Sequence, residues 1–260
     1  MSGHLLEVEG LSKHFGGLAA VKDLSFKVRP GEIVGLIGPN GAGKTTAFNT
    51  ISGTLPPTHG RVRLNGRDVT GLRPSLIVAA GLARTFQSTT TFAEETVATN
   101  IEHALLSRIE SSAPQRLMRR THGLLAPRAV DAEVDRILEI VNMQAWRDVP
   151  AGTLAYGLQK KLGIAIGLAT QPTMLLMDEP AAGLNHEECN ELTRLLRKLQ
   201  KEHGLTLLLV EHHMAIVMEI CERIVVLVHG EKIAEGSPEE IRTNPAVVEA
   251  YLGAPDYAHA

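Results

Sequence analysis

The sequence predicts an α/β fold with a largely parallel β-sheet, and three observations support this prediction. Short apolar segments typical of buried strands alternate with amphipathic segments typical of helices, as in chains of βαβ units. Between one such strand and the next helix, the stretch from Gly35 to Gly43 contains four glycines in nine residues, so its backbone needs unusual freedom. A helical block from about 96 to 156 interrupts the alternation and is therefore predicted to be an inserted helical subdomain.

The first third of the chain carries strand and turn signals. Loosely alternating segments on either side of Gly16-Gly17 predict two strands joined by a turn, and the dipeptide Asn65-Gly66 is a strong hairpin signal. In chain order we predict strands at 5–15, 19–28 and 33–37, a helix at 44–51, hairpin strands at 61–64 and 68–69, a helix at 74–80 and a strand at 82–86.

After Gly157 the chain returns to alternating helices and strands. A helix is predicted there because Leu162, Ile166 and Ala169 fall on one face. The later elements are a strand at 174–177, a helix at 187–203, a strand at 205–210, a helix at 214–221 and a strand at 224–228. A C-terminal tail from about 236 to 260 is predicted to hold one or two short helices, so residues 1–260 form one domain.

Composition argues against several classes of protein. The formal net charge of −3 disfavours a chain that grips a nucleic-acid backbone, so no nucleic-acid partner is expected. The N-terminal segment shows no secretory signal, and no apolar stretch reaches the roughly 18 residues that a membrane span needs. Cys189 and Cys221 are far apart and lack metal-ligand spacing, which predicts reduced structural thiols.

Residues 38–45 fit the pattern G-x-x-x-x-G-K-[ST], which forms a phosphate-binding P-loop. The glycines let the backbone curl so that successive N–H groups point at phosphate oxygens, and the loop opens onto a helix N-terminus. Lys44 would bring a positive charge to the β- and γ-phosphates, and Thr45 would offer a hydroxyl to Mg²⁺. We therefore predict that ATP is bound by Gly38, Pro39, Asn40, Gly41, Ala42, Gly43, Lys44, Thr45 and Thr46.

Two carboxylates end the apolar strand at 174–177. In a parallel sheet that is buried on both faces, a strand is apolar until its end, where it meets the ligand. Asp178 is then placed to hold Mg²⁺ beside the P-loop, and Glu179 is placed to accept a proton from an attacking water. A helix cap explains such a pair nearly as often, but the upstream P-loop favours catalysis.

Together with further motifs, the P-loop and the acidic strand end make the chain resemble the ABC-type ATPases over nearly its whole length. The segment 154–159 (LAYGLQ) is similar to the LSGGQ signature, Gln87 matches the Q-loop, segment 182–185 looks like the D-loop, and His212 matches the switch histidine. The resemblance implies a P-loop NTPase with a RecA-like core, an antiparallel β subdomain and an inserted helical subdomain. The alternative interpretation of the chain as a P-loop kinase does not explain segment 154–159.

The resemblance also implies roles for individual residues. Phe15 would stack on adenine, although a core aromatic remains an alternative. Gln87 would contact Mg²⁺ and sense the γ-phosphate, with an exposed polar residue as the alternative. His212 would steady the attacking water, while His213 is predicted to lie on the surface.

The signature would act on the ATP of a second subunit, through Leu154, Ala155, Tyr156 and Gly157. Ala155 replaces a serine that usually donates a hydroxyl to the opposing γ-phosphate, and Leu158 replaces a glutamine. These departures put the strength of the closed dimer in question, since an unreplaced charge-assisted hydrogen bond is worth about 1.5–3 kcal/mol.

The finer pattern is similar to ATP-binding subunits of branched-chain amino acid importers, in segments 81–87, 154–157, 179–185 and 244–253. That resemblance implies an ATPase that works as a homo- or heterodimer, docks on separate transmembrane permeases at the cytoplasmic face of the inner membrane, and serves an external binding protein. The ATPases of urea uptake and lipopolysaccharide export remain alternatives. A soluble ABC ATPase of DNA repair or translation is a further alternative, disfavoured by the single cassette, the short insertion and the acidic balance.

Overall fold

The computed structural model describes residues 3–85, 91–111 and 127–252. The strands in these ranges are β1 (Leu6–Phe15), β2 (Leu18–Val28), β3 (Ile33–Ile37), β4 (His59–Leu64), β5 (Arg67–Asp68), β6 (Leu82–Thr85), β7 (Met174–Asp178), β8 (Thr206–Val210), β9 (Arg223–Val228) and β10 (Glu231–Gly236). The helices are α1 (Lys44–Ile51), α2 (Pro74–Ala79), α3 (Val97–Ser111), α4 (Pro127–Ile140), α5 (Tyr156–Ala169), α6 (His186–His203), α7 (Met214–Ile220), α8 (Pro238–Thr243) and α9 (Pro245–Leu252).

The central sheet has six strands in the order β10-β9-β3-β8-β7-β6. The pairs from β9 to β6 are all parallel, and only β10 runs antiparallel, against β9. This confirms the α/β fold and the largely parallel sheet predicted from the sequence. The parallel arrangement brings the carboxyl ends of β3, β8 and β7 to the same edge, with Leu36 paired to Val210 and Asp178 paired to Val210.

A second sheet is antiparallel, with the strand order β2-β1-β4-β5. The predicted Asn65-Gly66 hairpin joins β4 to β5, and both turn residues have positive φ, as a two-residue hairpin turn of this kind requires. Strand β4 begins two residues earlier than predicted, at His59, because its first residues pair with β1 although their side chains are exposed.

In the central sheet, β3, β7 and β8 are buried at every position, which explains why these inner strands are largely apolar. In β3, Ile33 and Ile37 point into a core shared with the helices, while Val34 and Leu36 point into a core between the two sheets that includes Phe48 of α1. A strand that is covered on both faces gains from apolar side chains at every position. The glycine-rich loop therefore follows the end of β3, and Asp178 and Glu179 stand where β7 ends.

Strand β10 was not predicted from the sequence. Its six residues, Glu231–Gly236, are mostly exposed and include three charged side chains, so they show no apolar pattern. The strand forms because it lies at the edge of the sheet, where one neighbour, β9, supplies its hydrogen bonds. Pairing by backbone groups alone leaves no signal in the side chains.

Helix α6 shows how local sequence fixes an element that borders the site. Asn185 caps its N-terminus by accepting a hydrogen bond from the Glu188 amide at 3.0 Å, and the Glu188 carboxylate accepts one from the Asn185 amide at 2.9 Å. The helix ends at Gly204, whose φ of +63° suits a glycine C-cap.

Both cysteines are buried free thiols. Burial raises the pKa of the Cys221 thiol to about 12 and also raises the pKa of Cys189. Each thiol therefore stays protonated near neutral pH, in agreement with the prediction of structural cysteines. Within the described ranges, no helix is both long and apolar enough to cross a membrane.

Candidate active site

Three loops meet at the carboxyl edge of the central sheet. The glycine-rich loop follows β3, the Glu179 segment follows β7, and the segment Glu211–His213 follows β8, with β8 lying between the other two strands. The sheet therefore brings together residues that are far apart in the sequence. Of the predicted site residues, Gln87 lies outside the described residues.

The backbone of the glycine-rich loop is held by its neighbours. Gly43 has a φ of +96°, and a Cβ atom added there would collide with the carbonyl oxygen of Ala20 in β2. A Cβ atom added at Gly38 would collide with the carbonyl oxygen of Leu227 in β9. Packing therefore requires glycine at both positions. The neighbouring strands β2 and β9 thus help to determine the conformation of the loop.

Lys44 lies inside this loop. Its side chain is buried, and its ammonium donates hydrogen bonds to the carbonyl oxygens of Gly38 at 2.6 Å and Pro39 at 3.0 Å. Burial lowers the pKa of Lys44, while the negative charges of Glu179 and Asp178 oppose that shift. The side chain thus folds back over the loop and places a positive charge where a phosphate group would lie.

The other loop residues surround this cradle. Ala42 is buried, and its carbonyl oxygen accepts a hydrogen bond from the amide of Gly230 at 3.0 Å. Asn40 and Gly41 are exposed at the tip of the loop. Thr45 is exposed on the first turn of α1, and Thr46 is half-buried beside it. The first turn of α1 therefore carries an exposed threonine directly after the loop.

Asp178, the last residue of β7, is buried and paired with Arg84 of β6. The guanidinium donates to Asp178 Oδ2 at 3.2 Å and to Asn49 Oδ1 at 2.5 Å, and it lies 4.6 Å from the centre of the Phe48 ring. Burial raises the pKa of the Asp178 carboxyl, and the charge of Arg84 opposes that shift. Arg84 therefore ties the carboxylate to α1, the helix that begins in the glycine-rich loop.

Glu179 follows directly and has an unusual backbone, with a φ of +47°. Its amide donates to the carbonyl oxygen of Val210 at 2.8 Å, so the residue stays attached to β8. Its side chain is about one quarter exposed, and Oε1 lies 3.5 Å from Nδ1 of His212. The predicted base and the predicted switch histidine are therefore neighbours at the mouth of the site.

Glu211 is a further member of the site that the sequence did not single out. It is fully buried, and its carboxylate accepts hydrogen bonds from the amides of Ala181 at 2.7 Å, His212 at 3.1 Å and His213 at 3.3 Å. These bonds join the segment after β8 to the segment after β7. Glu211 thereby fixes the spacing between His212 and Glu179.

The segment resembling the ABC signature lies at the start of α5. Ala155 is the exposed residue that precedes the helix, Tyr156 is half-exposed, and Leu154 and Gly157 are buried. Leu158 packs against the core, which accounts for an apolar residue where a glutamine is usual. The segment is thus a helix N-terminus with an exposed start, separate in the sequence and in the fold from the glycine-rich loop.

Phe15 ends β1 next to the turn that leads into β2, and its ring is about half exposed, with Lys13 Nζ 5.2 Å from its centre. The alternative of a core aromatic is therefore wrong. Ala20, which contacts the glycine-rich loop, lies just beyond the same turn. The adenine-stacking role of Phe15 stays a prediction.

The sequence also did not single out Arg84 and Lys160. Lys160 is buried in α5, and its ammonium donates to the carbonyl oxygen of Glu179 at 3.3 Å. Neither residue stands out in the sequence, since the burial that distinguishes both arises from the fold. The arrangement as a whole combines a phosphate cradle, a carboxylate suited to a cation and a second carboxylate at the opening, which suits phosphoryl transfer to water.

Comparisons with known proteins agree with this chemistry. A family model described as ABC transporter matches residues 21–182, and one described as branched-chain amino acid ATP-binding cassette transporter matches residues 231–257. The chain is 43% identical over 253 residues to the high-affinity branched-chain amino acid transport ATP-binding protein BraF of Pseudomonas aeruginosa, covering 97% of this chain and 99% of the relative.

A second relative and a solved structure show the same similarity. The chain is 44% identical over 256 residues to the high-affinity branched-chain amino acid transport ATP-binding protein LivG of Salmonella typhimurium, again covering 97% and 99% of the two chains. The ADP conformation of an ATP-binding cassette of an ABC transporter superposes with a TM-score of 0.82 at 32% identity, covering 96% of this chain and 99% of that chain.

Proposed function

Because the chain belongs to the ABC transporter family of ATP-binding cassettes, we propose that it is the ATP-hydrolysing subunit of an importer for branched-chain or other small amino acids. The observation that carries the proposal is the meeting of the P-loop, Asp178 and Glu179 at one edge of the sheet. The two relatives at 43–44% identity are both branched-chain amino acid transport proteins, which favours this substrate class over urea and lipopolysaccharide.

ATP binds with its phosphates in the cradle of residues 38–46 and its adenine against Phe15. Support comes from the preformed loop, in which Lys44 already lies buried over the backbone, and from the exposure of Phe15. The amides at the start of α1 add a partial positive charge that favours an anion. Binding therefore needs little rearrangement of the loop.

The residues also fit Mg²⁺. Thr45 offers an exposed hydroxyl, Asp178 offers a carboxylate, and Gln87 is proposed as a further ligand. Mg²⁺ prefers oxygen ligands and usually binds one or two carboxylates together with phosphate oxygens, so a site of this composition suits it. When bound, Mg²⁺ neutralises charge on the β- and γ-phosphates.

Glu179 acts as the general base in hydrolysis. Its carboxylate accepts a proton from the attacking water, and His212, 3.5 Å away, steadies that water against the γ-phosphate. Lys44 stabilises the negative charge that develops on the transferred group. The buried Glu211 keeps the base and the histidine at a fixed separation.

The working unit is a dimer, either of two copies or with a related cassette. Leu154, Ala155, Tyr156 and Gly157 of one subunit meet the γ-phosphate of the other subunit's ATP. The exposed Ala155 supports this, since it precedes α5 and no side chain caps that helix N-terminus.

The subunit docks on transmembrane permeases at the cytoplasmic face of the inner membrane, and an external binding protein delivers the amino acid. In this arrangement the parallel sheet and P-loop form the nucleotide-binding core, an inserted helical subdomain at about 96–156 carries the signature, and a tail from about 236 completes the chain. Most of the tail lies in the region 231–257 that the branched-chain family model matches.

The experiment that tests the catalytic assignment is Glu179→Gln. Glutamine keeps the shape of the side chain but is a poor base, so phosphate release should fall by about 100-fold or more while ATP still binds. ATP-dependent dimers should then accumulate in size-exclusion chromatography with ATP and Mg²⁺. Wild-type turnover would refute the assignment, and a joint loss of ATP binding and turnover would show that Glu179 is structural.

The transport assignment is tested by reconstitution. The chain is combined with its permease subunits in proteoliposomes, and uptake of labelled leucine, urea and alanine is measured with the binding protein outside and ATP inside. ATP-dependent leucine uptake that is lost with Glu179→Gln supports the proposal. Uptake of urea without leucine would contradict it.

A further inference from the structure

We propose that Lys160 is a positioning residue for Glu179, through which the signature helix holds the general base of its own subunit. This inference rests on the proposed function, since it needs Glu179 to be the base. It concerns an intrasubunit link that joins the start of α5, which faces the partner, to the catalytic edge of the sheet.

The first observation is the backbone of Glu179. Its φ of +47° lies in the left-handed region, which is unfavourable for a residue with a side chain and persists only when the surroundings impose it. Its amide is held by the carbonyl oxygen of Val210. Its carbonyl oxygen accepts from the amide of Ala182 at 3.2 Å and from the ammonium of Lys160 at 3.3 Å.

The second observation is the burial of Lys160. Only 8% of the residue is exposed, which is rare for a lysine, and its ammonium lies 5.3 Å from the centre of the Tyr156 ring. A buried ammonium needs hydrogen-bond acceptors. The Glu179 carbonyl oxygen is such an acceptor, so the burial of the lysine and the strained backbone of the base support each other.

The third observation is that the whole start of α5 fits against the segment after Glu179. Gly183 has no room for a side chain, because an added Cβ atom would lie 2.8 Å from the Tyr156 ring. A Cβ atom added at Gly157 would lie 2.5 Å from the Glu188 carboxylate. The start of α5 therefore packs closely on the segment between Glu179 and α6, so we expect a displacement of the helix start to move the segment that carries the base.

The consequence is that a movement of the signature segment at the start of α5 changes the position of the general base, Glu179. When the partner's ATP contacts the start of α5, the position of that helix determines the position of the Lys160 ammonium. The ammonium in turn holds the Glu179 carbonyl, and the backbone conformation at Glu179 sets the direction of its carboxylate. Lys160 itself touches neither ATP nor water in this scheme.

The test uses Lys160→Met, which keeps length and packing but removes the donor and the charge. We expect kcat for ATP hydrolysis to fall about 10-fold, which corresponds to about 1.4 kcal/mol, with the Kd for ATP unchanged. Lys160→Arg keeps the charge and the donors and should restore most of the rate. If the methionine variant fails to fold, Lys160→Gln takes its place, and because its amide is uncharged and lies on a shorter side chain, the same fall in kcat is expected.

Lys161→Met is the matched control. Lys161 is the next residue of the same helix, but its ammonium pairs with Glu191 at 2.5 Å rather than with Glu179. Its loss removes the same charge from the same helix without touching the base. We expect kcat and Kd close to the wild-type values.

A second readout separates positioning from mere stability. Because Lys160→Met slows hydrolysis without weakening ATP binding, ATP-dependent dimers should accumulate in size-exclusion chromatography. In a Glu179→Gln background, Lys160→Met should cause no further loss of rate, since the base that it positions is already gone.

Two results would overturn the inference while leaving the proposed function intact. One is a wild-type kcat in Lys160→Met when Glu179→Gln is inactive. The other is a parallel loss of kcat, ATP affinity and thermal stability that Lys160→Arg does not restore. Full activity in Glu179→Gln alone would instead refute the proposed function at its catalytic step.

Discussion

Replacing Arg84 with methionine is the perturbation for which the structure gives the most direct estimate. The side chain of Asp178 is 4% exposed and that of Arg84 is 14% exposed, so their ion pair is shielded from water. Methionine keeps the packing on the Phe48 ring but removes the hydrogen bonds to Asp178 and Asn49. A buried carboxylate is then left without its main positive partner.

Breaking a buried pair in this way costs about 3–5 kcal/mol. For a domain of this size, each kcal/mol shifts the melting temperature by about 2–4 °C, so the variant should melt at least about 6 °C lower. The measurement is urea unfolding of the nucleotide-free protein in EDTA, followed by a thermal melt. In the double variant Arg84→Met with Asp178→Asn the carboxylate charge is also gone, so part of the lost stability should return.

Arg147→Met is the control that separates the effect of burying an ion pair on stability from the effect of the number of ion pairs. Arg147 makes three ion pairs, but its partners Asp131, Asp135 and Asp148 are 60–82% exposed. Exposed pairs contribute less than about 1 kcal/mol each, and often nothing measurable. If Arg84→Met is no less stable than Arg147→Met, the reasoning from a buried Arg84–Asp178 pair is refuted.

The remaining predictions concern the nucleotide cradle and the signature. Lys44→Ala should weaken ATP binding about 10-fold or more by removing a buried charged donor, and equilibrium binding of a fluorescent ATP analogue that gives near-normal affinity would contradict this. Gly43→Ala should lower stability by about 1–3 kcal/mol and impair ATP binding, since its Cβ atom meets the Ala20 carbonyl, whereas Gly41→Ala has open space and should cost less in the same urea titration. Ala155→Ser adds a hydroxyl at the exposed start of α5 and should strengthen ATP-dependent dimerisation modestly. Sedimentation in the presence of ATP measures the dimerisation constant. An unchanged constant would show that another group already donates a hydrogen bond to the γ-phosphate.

The parts of the fold that the sequence predicted well are those whose signals are local. The P-loop pattern, the Asn65-Gly66 turn and the apolar strands are each determined by a few consecutive residues, and the structure has them at the expected positions. The order of the strands brings Asp178 and Glu179 to the P-loop edge, as expected for a parallel sheet.

The supporting contacts were not predictable because they join distant residues. Arg84 and Asp178 are 94 positions apart, and Lys160 and Glu179 are 19 apart on different elements. A lone arginine or lysine in the sequence resembles a surface residue until the fold buries it. The edge strand β10 was not predicted for a related reason, since its backbone pairing imposes no pattern on its side chains.

The attachment of the P-loop to its surroundings has a consequence for local unfolding. Gly43 packs on the Ala20 carbonyl, the Gly230 amide holds the Ala42 carbonyl, and the Lys22 amide donates to the Gly230 carbonyl at 2.8 Å. We therefore expect strand β2, the turn between β9 and β10, and the loop to open together as one cooperative unit. A nucleotide bound in the loop would consequently stabilise the antiparallel sheet as well, through these contacts.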